Sequence, residues 1–341
     1  MSYPLTKNHP CGSLDLGNAR ANTSRVKFRT IVCSLILAVA SLGAVRAGVQ
    51  ESAPSLQSPK PEVQLTPAEI EIYKRAYTLI DWSPRQIRDC PFLHKLQPAR
   101  SQDQLPIILE RVGQTVTLLF HDFPQIACDE EVFSEVFPDQ RYGTLRKLAK
   151  FRYIAIPRPM GDLPGFREYR TDLKGNPLDA ARFSDDFMIT SNYISTCLYL
   201  SPTDQPSSRF RHFGVQSIRG RQCHVVGFAQ EPERVRRVGT FKAENMPAVV
   251  LLQGLAWIDT ETFQVMRIMT WLLAPRPDIG LEGHTSTVDF YPVQLSGFER
   301  VLWLPRDVEV VTNYRGRWFK NTHRYSNFKL FRVTSTIKPS E

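Results

Sequence analysis

Cysteine and histidine are scarce in this chain, with six and seven among 341 residues, and neither a Cys-x-x-Cys pair nor a histidine cluster occurs. A structural zinc site needs four closely grouped thiolates or imidazoles, so no metal and no other cofactor is expected. The Gly-x-Ser-x-Gly elbow, the phosphate-binding loop, the dinucleotide fingerprint and His-Glu-x-x-His are all absent, which removes the common hydrolase, nucleotide and metalloprotease classes. The chain is therefore expected not to be an enzyme. No fixed-length repeat and no heptad pattern is present, which excludes solenoids and coiled coils. Long apolar runs are also missing. The most apolar stretch, Ile31 to Val45, has 15 residues, short of the roughly 20 that cross a bilayer as a helix.

That stretch follows Arg25, Lys27 and Arg29 and ends at Val45-Arg46-Ala47, the form of a secretory signal peptide, so residues 1–47 are expected to be a leader. Residues 48–64, rich in Ser, Pro, Gln and Glu, have too few apolar side chains to offset chain entropy and are expected to be a flexible linker. The whole chain carries 43 Lys+Arg against 34 Asp+Glu; without the six cations and one acid of the leader, the balance is 37 against 33, or +4. So mild an excess implies no nucleic-acid partner. The densest basic run, Arg234 to Arg237, is a solvated loop on this reading and could touch an anionic membrane surface. Export also makes the remaining cysteines, Cys90, Cys128, Cys197 and Cys223, candidates for two disulfides. Three pairings are open, and Cys90 to Cys128 with Cys197 to Cys223 is favoured because each closes a local loop.

The folded part divides into an N-terminal helical region, residues 65–145, and an antiparallel β region, residues 146–338. Thr66-Pro67-Ala68-Glu69 has the form of a capping box, and apolar residues at helical spacing follow as far as Ile80, with an end near Trp82-Ser83-Pro84. Gln104 to Phe120 carries a second stripe, Leu105, Ile108, Leu109, Val112, Val116 and Leu119, with Pro106 placed for the first turn. Strand periodicity takes over near Leu148. Phe166 to Thr171, the hairpin arms on either side of Arg219-Gly220-Arg221, the pair Leu251 to Asp259 and Phe263 to Leu273, and the long stretches after His284 all read as strands. Cys223, Val225 and Gly227 should share one face of their strand and His224, Val226 and Phe228 the other. In the last stretch the apolar phase changes between Ser326 and Phe331, which predicts a bulge. The fold class is thus α+β, mostly β: one large curved antiparallel sheet with N-terminal helices packed on it.

Few residues point to chemistry. His284, Asp289 and His323 are read as polar residues on the wet face of the sheet, and Glu130 and Glu131 as part of a solvated turn after the second helix. The apolar side is richer. Met266, Ile268, Met269 and Trp271 occupy both faces of one strand, so that strand must be covered twice. With Trp257 and Phe290 they form the candidate lining of an apolar ligand site, methionine being deformable enough to suit varied ligands.

The segments Gly254 to Ile268, Ser286 to Val293, Leu302 to Val310 and Asn321 to Phe331, behind an export leader and an N-terminal helix, resemble the outer-membrane lipoprotein-sorting group typified by LolA and LolB. The resemblance covers the C-terminal third to half of the chain and also extends to uncharacterised exported bacterial proteins. It implies a half-barrel open on one side, a periplasmic or envelope location in a Gram-negative-type bacterium, and lipid or lipoprotein acyl chains as partners. A carrier that shelters an acyl chain is the expectation. An envelope structural or protein-interaction module with a filled core is the alternative. The two differ in whether the sheet encloses apolar space.

Overall fold

A computed structural model describes residues 65–137, 144–159, 161, 163–178, 192–243 and 246–331. The expected leader and linker, residues 1–64, lie outside the described residues.

The N-terminal segment is two short capped helices. In α1 (Pro67–Lys74), Thr66 Oγ1 accepts from Glu69 N–H and the Glu69 carboxylate accepts from Thr66 N–H, the expected capping box. Ser83 then repeats the device with Gln86 and opens α2 (Pro84–Asp89), so Ser83-Pro84 starts a helix as well as ending the turn Leu79–Asp81. The strand β1 (Gln97–Pro98) leads to α3 (Leu105–His121), which buries Ile108, Val112 and Val116 along one face. The expected stripe is the buried stripe.

The strands are β2 (Ile126–Phe137), β3 (Leu145–Pro157), β4 (Phe166–Thr171), β5 (Pro177–Leu178), β6 (Ser208–Ile218), β7 (Arg221–Gln230), β8 (Gly239–Ala243), β9 (Met246–Val250), β10 (Leu252–Asp259), β11 (Val265–Leu272), β12 (Leu281–Gln294), β13 (Val301–Tyr314) and β14 (Arg317–Leu330). Twelve form one antiparallel sheet in the order β1-β6-β7-β10-β11-β12-β13-β14-β2-β3-β4-β5, with β8 and β9 as a separate hairpin. The sheet begins earlier in the chain than the periodicity indicated. β2 comes from the region expected to be helical and lies between β14 and β3. The predicted bulge in the last strand is present as a register shift between Ser326 and Lys329, with Asn327 at φ 56°.

One apolar cluster holds side chains from nine neighbouring strands, β7 round to β4, together with α3 and the 3-10 segment Ile194–Leu200. Laid flat, nine strands would span roughly 38 Å, far more than one helix can cover. The sheet therefore curls around α3 and Ile194–Leu200, and the face they cover is the concave one. On the convex face, Leu79, Trp82, Cys90 and Leu93 cover β6, β7, β10 and β11. Farther round, the convex face carries charge in columns that alternate in sign: Lys320 pairs with Glu309, Lys150 with Glu131 and Arg146 with Glu135. Opposite charges on adjacent strands reinforce register.

Gly227 on β7 lets the convex cover sit close, since a Cβ there would run into Leu79 Cδ1 and the Phe213 ring. Gly227→Ala is expected to lower stability by about 1–3 kcal/mol through overpacking. Urea unfolding should show that loss reduced when Leu79→Ala is added, because the second change vacates the space the new methyl needs.

Candidate functional site

The expected lining residues do not form one surface. Ile268 and Phe290 lie in the concave cluster, whereas Trp257, Met266, Met269 and Trp271 lie in the convex one beneath Leu79, Trp82 and Leu93. Trp271 stacks on Trp82 with ring centroids 6.2 Å apart, and Trp257 Nε1–H donates to Gln216 at 2.7 Å. A strand apolar on both faces is indeed covered twice, and the N-terminal segment supplies the second cover.

On the concave side, α3 roofs the sheet. Among the described residues its polar ties to the rest are few: the Gln205 side chain donates to Leu109 O at 2.8 Å, Arg111 lies over the Phe263 ring at 5.4 Å, and Arg300 pairs with Asp122 past its last turn. Beneath it runs a narrow opening lined by Thr115, Val116, Leu119, Cys197, Gln264, Val265, Phe290 and Trp303. Its cavity volume is about 10 Å³, room for roughly one water. Established ligand pockets hold roughly 300–1,000 Å³. With α3 seated in this way, the concave face is largely filled by the protein's own side chains.

Deeper in the same face is a buried polar network that the sequence reading missed. Glu130, taken for a loop residue, points inward from β2 and is fully buried. Its carboxylate accepts from Arg170 Nε at 2.5 Å and Nη2 at 2.7 Å, from His323 Nδ1 at 2.8 Å and from Tyr325 OH at 2.7 Å. A carboxylate only accepts, so His323 Nδ1 carries the hydrogen. With the ring neutral, Nε2 then accepts from Tyr193 OH, 2.9 Å away. Glu168 on β4 takes the Asn192 N–H at 2.8 Å, so Asn192 and Tyr193 both tie the start of the Ile194–Leu200 segment to the sheet.

Burial alone would raise the Glu130 pKa, but the Arg170 charge and hydrogen bonds, helped by His323, hold it down to about 2. Burial lowers that of His323. The signal was in the phase of each strand: Glu130 alternates with Cys128 and Val132, and His323 with Phe319 and Tyr325, all inward-facing. His323 is thus not on the wet face. His284 and Asp289 do not join it either. His284 Nδ1 bonds Thr312 at 2.9 Å, and Asp289 takes the Arg267 fork at 2.9 and 2.8 Å.

Two further expectations change. Neither expected disulfide forms, because Cys128, Cys197 and Cys223 are buried thiols. The proposed partners lie on opposite faces of the sheet, Cys128 and Cys197 concave, Cys90 and Cys223 convex. The basic run is not a free patch: Arg237 is buried against Asp204 at 3.0 Å, and Arg234 pairs with Glu231 at 3.1 Å. Among the described residues no group of three or more His, Cys, Asp or Glu could hold a metal, and no helix is long and apolar enough to cross a membrane.

Glu130→Gln is expected to destabilise by about 3–5 kcal/mol at pH 7, as breaking a buried pair leaves Arg170 uncompensated. The pH dependence has a definite sign. A carboxyl with its folded pKa depressed contributes fully above its unfolded value of about 4.5 and loses that contribution as the pH falls towards 2. The neutral His323 ring loses its contribution as the pH falls below about 6.5. Urea midpoints should therefore fall steadily on acidification from pH 7, and Glu130→Gln should flatten the part between pH 5 and 3. Burial also pushes the Cys197 thiol up to about 12 and the Cys223 thiol up to about 11. Both, with Cys128, should resist alkylation in the native protein and react in denaturant without prior reduction.

No family model matches the sequence, and no curated protein matches it. Among solved structures, the chain is similar to a LolA-superfamily protein from Nitrosomonas europaea, with 10% identity, a TM-score of 0.33, and 66% of this chain and 94% of that one covered. It is similar to an outer membrane lipoprotein-sorting protein domain from Vibrio parahaemolyticus, with 10% identity, a TM-score of 0.35 and coverage of 67% and 93%. It is also similar to a DUF1329-family protein from Desulfovibrio piger, with 11% identity, a TM-score of 0.37 and coverage of 68% and 95%. Likeness at this level says nothing of ligand or partner.

Proposed function

We propose that the chain is an exported, non-enzymatic binding or carrier protein of the bacterial envelope that takes an acyl chain between α3 and the concave face. The observation that carries this reading is the way the concave face is closed: beside the anchored segment Ile194–Leu200, an apolar surface is roofed by an amphipathic helix with few polar ties, over a narrow opening. A helix held mainly by apolar packing gives way to another apolar group at little net change, because the sheet's side chains stay buried in either state. Lifting α3 enlarges the opening into a groove lined by Ile268 and Phe290 with Val265, Trp303 and Leu302. Export rests on the leader pattern between Arg25 and Ala47.

A second reading has its own observation. On the convex face, Phe133 on β2 and Leu148 on β3 are directly opposite each other and exposed. An interaction module with a filled core would present such a pair to a protein partner.

Uptake of monoacylglycerols of increasing chain length separates the two. Burial of each methylene is worth about 0.8 kcal/mol, so the carrier reading expects Kd to fall roughly fourfold per added carbon. Leu119→Trp, which fills the opening, should abolish uptake while leaving the urea midpoint near that of the wild type. Absence of uptake at any chain length, by native mass spectrometry without detergent, would favour the interaction module.

A further inference from the structure

Two imidazoles outside the Glu130 network pack beside Phe263, whose chain neighbour Gln264 lines the opening. His212 on β6 and His224 on β7 meet edge to face, with ring centroids 5.2 Å apart at 70°. His224 stacks on Phe263 at 6.1 Å, and Arg111 of α3 lies over the same ring at 5.4 Å. Gln264, next to Phe263, and Thr115, one helical turn beyond Arg111, both line the opening. The Gln102 side chain fixes the backbone of His212, donating to its carbonyl at 2.9 Å and accepting from its N–H at 2.8 Å.

The hydrogen-bond inventory of the pair is incomplete in a specific way. His212 Nε2 is 3.0 Å from Gly214 O. A carbonyl oxygen only accepts, so Nε2 carries the hydrogen and Nδ1 of the neutral ring is a bare acceptor. Nδ1 of His212 and Nδ1 of His224 are both buried and without a hydrogen-bond partner among the described residues. Burial lowers the pKa of both rings, and His212 lowers that of His224 further, so both are neutral near pH 7. A group that satisfies the two atoms must donate to His212 Nδ1, and with the His224 hydrogen placed on Nδ1 the same group accepts from it. A carboxylate cannot donate, and it would bring its charge against the His212 lone pair. A metal would use both nitrogens but finds no third ligand, since no group of three or more suitable side chains exists among the described residues.

Resting on the carrier reading, we propose that the ligand's polar end is a hydroxyl group held between His212 and His224, with its alkyl chain directed under α3. The ligand class is then a neutral hydroxylated lipid, such as a long-chain alcohol or monoacylglycerol. The hydroxyl donates to His212 Nδ1 and accepts from His224 Nδ1, completing both rings with one atom. Phe263, with Arg111 over its ring, stands beside His224.

The test compares 1-decanol, decane and decanoate as competitors for a fluorescent apolar probe on the full protein. Decanol is expected to bind at least tenfold more tightly than either of the others. His224→Phe should bring decanol to within twofold of decane. As a check that needs no variant, nitrogen-15 histidine spectra should show the Nδ1 resonances of His212 and His224 moving with decanol and staying still with decane. Equal affinity for decanol and decane, or Nδ1 resonances unmoved by decanol, would mean that water alone bridges the rings, and would overturn this inference while leaving the carrier reading in place. If none of the three competes and the probe itself does not bind, the carrier reading fails and this inference fails with it.

Discussion

The buried ion pair between Glu130 and Arg170 is the constraint on which the rest of the concave face depends. Glu130 stands on β2, at the seam where β14, the last strand among the described residues, pairs with one far earlier in the sequence. His323 and Tyr325, 193 and 195 residues away in sequence, bond to the same carboxylate oxygen. Desolvating a carboxylate and a guanidinium is expensive, and the cost is offset only when geometry and hydrogen bonds are nearly complete. A slip of one residue at the seam would turn Glu130 outward and leave Arg170 buried alone. The network thus specifies the register of a pairing that local sequence contacts cannot specify.

The same network reaches the filling of the curled sheet. Through Tyr193 and Asn192 it anchors the segment Ile194–Leu200, which shares the concave face with α3. These two covers are held differently: one by buried, charge-assisted hydrogen bonds, the other chiefly by apolar packing. Local stability follows such differences, and the element with fewer buried polar ties is the one that opens at lower free energy. By that contrast α3 is the cover that opens first, and the Glu130 side is the fixed wall.

The convex face accounts for the methionine and tryptophan tract of β11. Trp257, Met266, Met269 and Trp271 pack under the segment from Leu79 to Leu93, with Met266 sulfur 3.6 Å from Cys223 sulfur. Deformable methionine here fills an irregular interface between a sheet and short helical turns. The residues that looked most like a ligand lining are therefore the core beneath a cap, while the apolar opening is built mainly from residues of α3 and the hairpins facing it.

Much of the architecture was legible because it rests on local periodicity. The capping box at Thr66, the stripe of α3, the bounds of β4, the hairpin turn at Arg219-Gly220, the bulge near Ser326 and the two faces of β7 all follow from spacing within a few residues. The sequence also held the inward phase of Glu130 and His323, but charge in an apolar phase is interpretable only once its partner is known, and Arg170 lies 40 residues from Glu130. Which cysteines share a face, which strand Ile126–Phe137 joins, and which side of β11 the N-terminal segment covers were decided by tertiary structure alone. Each depends on pairing between distant strands, and period-two alternation records that a residue faces one side without recording what waits there.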